Sequence, residues 1–184
     1  MAAASNLKNM ALSLSLVCLV CSAILGCVYA VTSGPIKEAE AAKTAASIAR
    51  VLPPFEGEPL QEIVTVDGAD YKYYRLPGAG TAVISTVGGF GGPLTLMVGF
   101  GEDGAVVNTV VLSHSETPGL GAKCQTEKSF IDQFKGWDPA SKRLAVRKDG
   151  GEVDAITAST ITSRAYAAAI ANAYQVYLKL SENE

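Results

Sequence analysis

Histidine is almost missing from this 184-residue chain, with His114 the only one, and that excludes a multi-histidine metal site. Cysteine is scarce where it would count. Cys18, Cys21 and Cys27 share one apolar run, which leaves Cys124 alone in the rest of the sequence. No internal disulfide can then staple the globular part, and it must hold through its core. Basic clusters are absent as well. From Thr32 onward the chain carries 14 basic and 18 acidic residues, a formal charge of −4. Such a surface does not attract a phosphate backbone, so nucleic acid is excluded as a partner. With 18 glycines and 8 prolines the composition is neither collagen-like nor disordered. No phosphate loop, zinc-ligand spacing or His-Glu-x-x-His is present, and Gly99–Gly104 lacks the strand-then-helix setting that a dinucleotide fingerprint needs.

What the chain does have is hydrophobicity in one place. Met10 to Val31 are 22 residues without a charged side chain. As a helix they would extend about 33 Å, close to a hydrocarbon core of about 30 Å. Serines 13, 15 and 22 are tolerable there, because a hydroxyl can bond back to a carbonyl one turn earlier. Lys8 precedes the run, and the first charges after it are Lys37, Glu38 and Glu40. The positive-inside rule predicts a cytoplasmic N-terminus (1–9), a transmembrane helix (10–31) and a domain outside the cytoplasm (32–184). A cleaved signal peptide, or a lipid-modified Cys27 after Ile24-Leu25-Gly26, are the rivals. The apolar run continues through Val31, past either cut, and favours an uncleaved single-pass anchor. The spacing Cys18-x-x-Cys21 lies inside this run and reads as small apolar helix residues.

The remainder predicts an α+β domain: an antiparallel sheet with flanking helices. Thr32-Ser33-Gly34-Pro35 reads as a helix start, with an Ala-rich helix over Ile36–Leu52 stopped by Pro53-Pro54. Strands are expected at Glu62–Val66, Tyr71–Arg75, Thr81–Val87, Leu94–Phe100 and Ala105–Ser113, with Asp103-Gly104 as a hairpin turn. A short strand is expected at Val153–Ile156. A helix from Ser163 to Leu180 closes the chain, its inward face marked by Tyr166, Ile170, Ala173, Tyr177 and Leu180.

Two polar segments carry the chemistry. Ser113 to Lys123 groups hydroxyls, a carboxylate, an imidazole and an amine around Pro118-Gly119-Leu120-Gly121. Its glycines would let the main chain approach a flat ligand, although a polar surface loop has the same composition. His114 between Ser113 and Ser115 suggests a hydrolytic pair, but neighbours on an extended chain point in opposite directions. The second segment, Asp154 to Ser163, holds five hydroxyls before the final helix. A helix cap needs one. A phosphate placed there would meet the helix N-terminal amides and the favourable end of the dipole.

At these residues the sequence resembles the FMN-binding domain family. Asp154 to Ser163 is similar to that family's flavinylation motif, Asp-x-x-Ser/Thr-Gly-Ala-Thr-x-Thr/Ser. Asp154, Thr157, Thr160 and Thr162 match it, while Ala158 stands where glycine is usual and Ser159 where alanine is usual. The resemblance implies that a flavin transferase attaches FMN to Thr160 through a phosphoester. Gly88-Gly89-Phe90-Gly91-Gly92-Pro93 and Glu116-Thr117-Pro118-Gly119-Leu120-Gly121 resemble one branch, the G subunits of Rnf complexes, which are related to the C subunit of the sodium-pumping NADH:quinone oxidoreductase. This likeness implies an electron carrier without a substrate or catalytic residues of its own. Its partners would be the other subunits of a membrane complex that couples electron flow between ferredoxin and NAD to ion pumping. Glu116, Thr117, Gly119, Leu120 and Gly121 would form the wall beside the flavin ring, with Thr157, Ala158, Ser159 and Thr162 around the attachment point. The rival is a membrane-anchored binding or assembly module that carries no flavin.

Overall fold

The structure is a computed structural model that describes residues 7–55 and 59–182. Of the expected N-terminal segment 1–9, residues 1–6 lie outside the described residues, as do 56–58 and 183–184 of the expected domain. The chain forms two compact units, Met1–Lys43 and Thr44–Glu184.

The first unit is helical. Helix α1 runs over Leu7–Val51 without interruption. Its apolar stretch presents Leu12, Leu14, Leu19 and Leu25 outward, as a helix does when no protein packs on it. By length and composition it can cross a membrane. Ser13 Oγ donates to the Met10 carbonyl at 3.0 Å and Thr32 Oγ1 to that of Val28 at 2.8 Å, so these hydroxyls are satisfied within the helix. The helix start expected at Thr32–Pro35 is corrected: α1 passes through Pro35. Pro35 lacks only one N–H, and the strong helix formers after it, Lys37 to Lys43, carry the helix on.

The second unit is built on a five-stranded antiparallel meander in the order β1-β2-β3-β4-β5. Its strands are β1 (Leu60–Val66), β2 (Ala69–Leu76), β3 (Gly80–Gly88), β4 (Pro93–Phe100) and β5 (Val106–His114). Side chains alternate across it with period two. On one face Val83, Leu94, Leu96, Val98 and Phe100 join Tyr166, Ile170, Ala173 and Val176 of helix α4 (Thr160–Ser181). Ala165, Ala169 and Ala173 give α4 a smooth buried side. On the other face Tyr74, Ala82, Met97 and Val110 meet Ile48, Val51 and Leu52 from the end of α1. A Cβ at Gly99 would lie 2.0 Å from the Val51 carbonyl oxygen, so only glycine lets that helix end cross β4. Asn108 Nδ2 donates to the Arg50 carbonyl at 2.8 Å and caps the same end.

Between β5 and α4 the chain forms two short helices, α2 (Lys123–Thr126) and α3 (Lys128–Asp132), and one 3-10 turn, Arg147–Asp149. Phe130 and Phe134 from this stretch pack against Tyr166, and Trp137 packs on Phe134. The strand expected at Val153–Ile156 is corrected to a single parallel bridge between Val146 and Val153. Side chains take the place of a ladder there. Gln133 Oε1 accepts the Asp154 N–H at 2.8 Å, and Ser163 Oγ accepts that of Ile156 at 2.9 Å.

Candidate functional site

Three separated segments converge on one cavity of about 340 Å³ at the N-terminal end of α4. The first is the hairpin tip between β3 and β4. The Gly89 N–H bonds the Gly92 carbonyl at 2.8 Å, and the turn holds Phe90 out with 68% of its surface exposed. The second is the loop after β5, where the N–H groups of Leu120 and Ala122 both bond the Thr117 carbonyl, at 3.2 and 3.1 Å. The third is the turn Ile156–Ser159 with the start of α4. The Ser159 N–H returns to the Ile156 carbonyl at 3.0 Å, and Ala158, the third residue of this turn, has φ +61°. That value is one a type II turn demands of its third residue and one that favours glycine.

Glu116 joins all three segments. Its carboxylate is buried, with the residue 5% exposed. Oε1 accepts the Phe90 N–H at 2.8 Å, and Oε2 accepts the Thr162 hydroxyl at 2.8 Å. The glycines around it are required by space. A Cβ at Gly89 would sit 2.0 Å from Oε1, and one at Gly121 would sit 2.4 Å from Oε2. The carboxylate also acts on Cys124, whose buried thiol is pushed up to about 11, first by burial and then by the Glu116 charge.

The hydroxyls of the last segment divide by position. Ser163 Oγ donates to the Ser159 carbonyl at 3.0 Å while accepting from Ile156, so it is used in fixing the turn. Thr162 is buried and committed to Glu116. Ser159 stands at the N-cap position but makes no side-chain cap bond, and its buried hydroxyl has no partner. A buried group left so costs about 1–3 kcal/mol. Thr160 is half-buried, opens α4 and lines the cavity. Thr157 is exposed. Asp154 is exposed too, paired with Arg147 at 2.7 Å. Arg164, one turn into α4, makes a two-pronged pair with Asp149 at 2.6 and 2.7 Å, which holds the Asp149 carboxyl below its usual range.

Of the residues singled out in the sequence, Glu116, Thr117, Leu120, Gly121, Ala158, Ser159, Thr160 and Thr162 share this cavity. Thr157 and Gly119 are not among its lining residues; Gly119 has φ +77° and serves the turn below it. Phe90 and Ile161 line the cavity as well and were not singled out as site residues. An aromatic side chain between two pairs of glycines is the signal for Phe90; Ile161, exposed in the first turn of α4, offers the matching one. Phe90, Leu120 and Ile161 thereby put three exposed apolar side chains on the rim of one polar-floored slot. Depressions of about 560 Å³ elsewhere are bordered by charged side chains such as Arg50, Lys128 and Lys135, or Arg75 and Glu102.

The bonds of His114 agree with setting a hydrolytic pairing aside. His114 ends β5, and its Nδ1 accepts the Glu116 N–H at 3.2 Å, which leaves the proton on Nε2 for Gln125 Oε1 at 3.2 Å. Both ring nitrogens are engaged away from Ser113 and Ser115.

Residues 89–175 match the model of the family described as the FMN-binding domain. That span opens at the Phe90 hairpin tip and reaches through the Glu116 loop into α4. Three relatives, each the G subunit of an ion-translocating oxidoreductase complex, align over most of the chain. The one from Shewanella piezotolerans is 33% identical over 90% of this chain and 86% of its own length. Those from Cereibacter sphaeroides and Stutzerimonas stutzeri are 37% and 35% identical, over 84% and 93% of this chain and 76% and 81% of theirs. The chain belongs to this family of G subunits. A crystal structure of the C subunit of a Na⁺-translocating NADH-quinone reductase, from Parabacteroides distasonis, superposes with a TM-score of 0.42 at 24% identity, over 65% of this chain and 60% of that one.

Proposed function

We propose that this chain is the electron-carrier subunit of a membrane ion-translocating oxidoreductase complex, relaying electrons through an FMN joined to Thr160 by a phosphoester. The observation that carries the reading is the cavity at the start of α4. There an apolar rim of Phe90, Leu120 and Ile161 lies beside the one hydroxyl of segment 157–163 that both lines the slot and escapes burial, Thr160.

The residues suit a flat ring that ends in a phosphate. Phe90, Leu120 and Ile161 give apolar area, Thr117 and nearby amides give a polar edge, and the helix start favours an anion. When bound, FMN supplies the ring that takes up and releases electrons. The chain holds and tunes. Glu116 fixes the hairpin tip to α4 so that two walls of the slot keep their spacing. Thr160 is open enough for a flavin transferase to reach, whereas Thr162 and Ser163 are closed off by burial and by their own hydrogen bonds.

The anchor reading completes the proposal. The apolar part of α1 spans the cytoplasmic membrane once, Lys8 keeps the N-terminus inside, and the flavin domain faces the outer side among the other subunits of the complex. The test is ultraviolet fluorescence of the chain on a denaturing gel after expression with a flavin transferase. A fluorescent band in the wild type that vanishes in Thr160→Ala supports the reading. A dark wild-type band supports the flavin-free assembly module instead.

A further inference from the structure

Within segment 157–163 one buried side chain is left without an assignment. Ser159 is 7% exposed, lines the cavity, and is the residue immediately before Thr160, yet its hydroxyl bonds nothing. Its backbone is fixed from both sides. The carbonyl accepts from Ser163 Oγ and the N–H returns to Ile156, so the side chain cannot leave by a shift of the main chain. An N-cap serine ordinarily turns its hydroxyl onto the amides of its own helix, and this one does not. The oxygen is thus held, desolvated, at the positive end of a 22-residue helix whose first turn has no acidic residue.

We infer that Ser159 is a phosphate-binding residue: its hydroxyl donates to a phosphoryl oxygen of the flavin attached one residue later. The inference rests on the FMN reading and deepens it. A donor is what the place requires, because an anion at a helix start already meets amide N–H groups and gains from a further O–H. The Glu116 carboxylate is bonded by the Phe90 N–H and the Thr162 hydroxyl, and Ser159 Oγ makes no bond to it. Burial also separates Ser159 from Thr160 in role. The half-buried hydroxyl is the one a transferase can reach, and the buried one holds the phosphate. Ser159 stands where alanine is usual in the motif, so this donor is an addition of this chain to the helix amides.

The test uses the full chain made without a flavin transferase, solubilised in detergent, with flavin fluorescence quenching as the binding signal. FMN and riboflavin differ by the phosphate alone. The expected result is that the wild type binds FMN more tightly than riboflavin. Ser159→Ala should then lower FMN affinity about tenfold, the range of one hydrogen bond to a charged group, and leave riboflavin affinity unchanged. Equal losses for both flavins would make Ser159 merely structural, and no loss for either would leave it without a role; both overturn the inference. A wild type that does not prefer FMN over riboflavin also overturns it. The FMN reading itself stands or falls separately, on the fluorescent band of transferase-treated protein. A thermal melt of Ser159→Ala, expected to be at least as high as the wild type once the orphaned hydroxyl is gone, confirms that the variant folds.

Discussion

The Thr162 hydroxyl donates to the buried Glu116 carboxylate at 2.8 Å, tying the first turn of α4 to a loop 46 residues earlier. The same carboxylate takes the Phe90 N–H with its other oxygen. One side chain thereby sets the distance between the slot's two walls and its floor.

Breaking that tie on one side should be costly. Thr162→Val keeps the shape but strips the carboxylate of one donor, with an expected loss of about 1–3 kcal/mol. Glu116→Gln should cost less, because the amide can accept from Phe90 N–H and donate to Thr162 Oγ1. Denaturant unfolding of both variants checks the order. A Glu116→Gln loss larger than that of Thr162→Val would contradict it.

Two glycines of the same loop should respond differently to alanine. At Gly121 the new Cβ would collide with Glu116 Oε2 at 2.4 Å and Thr162 Oγ1 at 2.7 Å. Overpacking of this kind costs about 1–3 kcal/mol, and it would displace the carboxylate. At Gly119 there is open space but φ is +77°, so only backbone strain of about 1 kcal/mol applies. Flavin loading should fall in Gly121→Ala and persist in Gly119→Ala, measured by the ratio of flavin absorbance to protein.

Much of this arrangement was legible in the sequence, and the part that was not has physical reasons. The five strands and the closing helix follow from period-two and helical patterns, with ends within about three residues of those expected. Pro35 misled because the strong helix formers after it, Lys37 to Lys43, carry the helix past the loss of one N–H. Val153–Ile156 misled because its two buried side chains, Val153 and Ile156, lie three residues apart rather than two, and its Asp154 and Ile156 amides are taken by Gln133 and Ser163. Helices α2 and α3 have four and five residues, too few for a period to show. The site segments were visible as clusters of hydroxyls and glycines. That Glu116 binds Thr162 depends on a contact across 46 residues, which no local pattern encodes.

Cys124 supplies a pH-dependent prediction. Its folded thiol is pushed up to about 11, above the ordinary thiol value, so the folded state keeps the proton where the unfolded chain has lost it. Stability from this group is full below the unfolded pKa, near 8.5, and is lost as pH rises toward 11. Thermal melts from pH 7 to 11 should decline in the wild type, and the part of that decline due to the thiol should be missing in Cys124→Val. Parallel curves for the two proteins would contradict the assignment.

The proposed orientation rests on Lys8 and the uncharged run after it. Protease added to spheroplasts should remove the domain, while inverted vesicles should protect it. The opposite pattern would place the flavin domain in the cytoplasm.

The central claim is the bond between FMN and Thr160. Trypsin cuts after Lys148 and Arg164, releasing 149–164 with every rival hydroxyl on one peptide. Fragmentation of that peptide, from cells with an active flavin transferase, should place the added FMN mass on Thr160. Flavin on Thr157, Ser159 or Thr162, or on no peptide at all, would contradict the account.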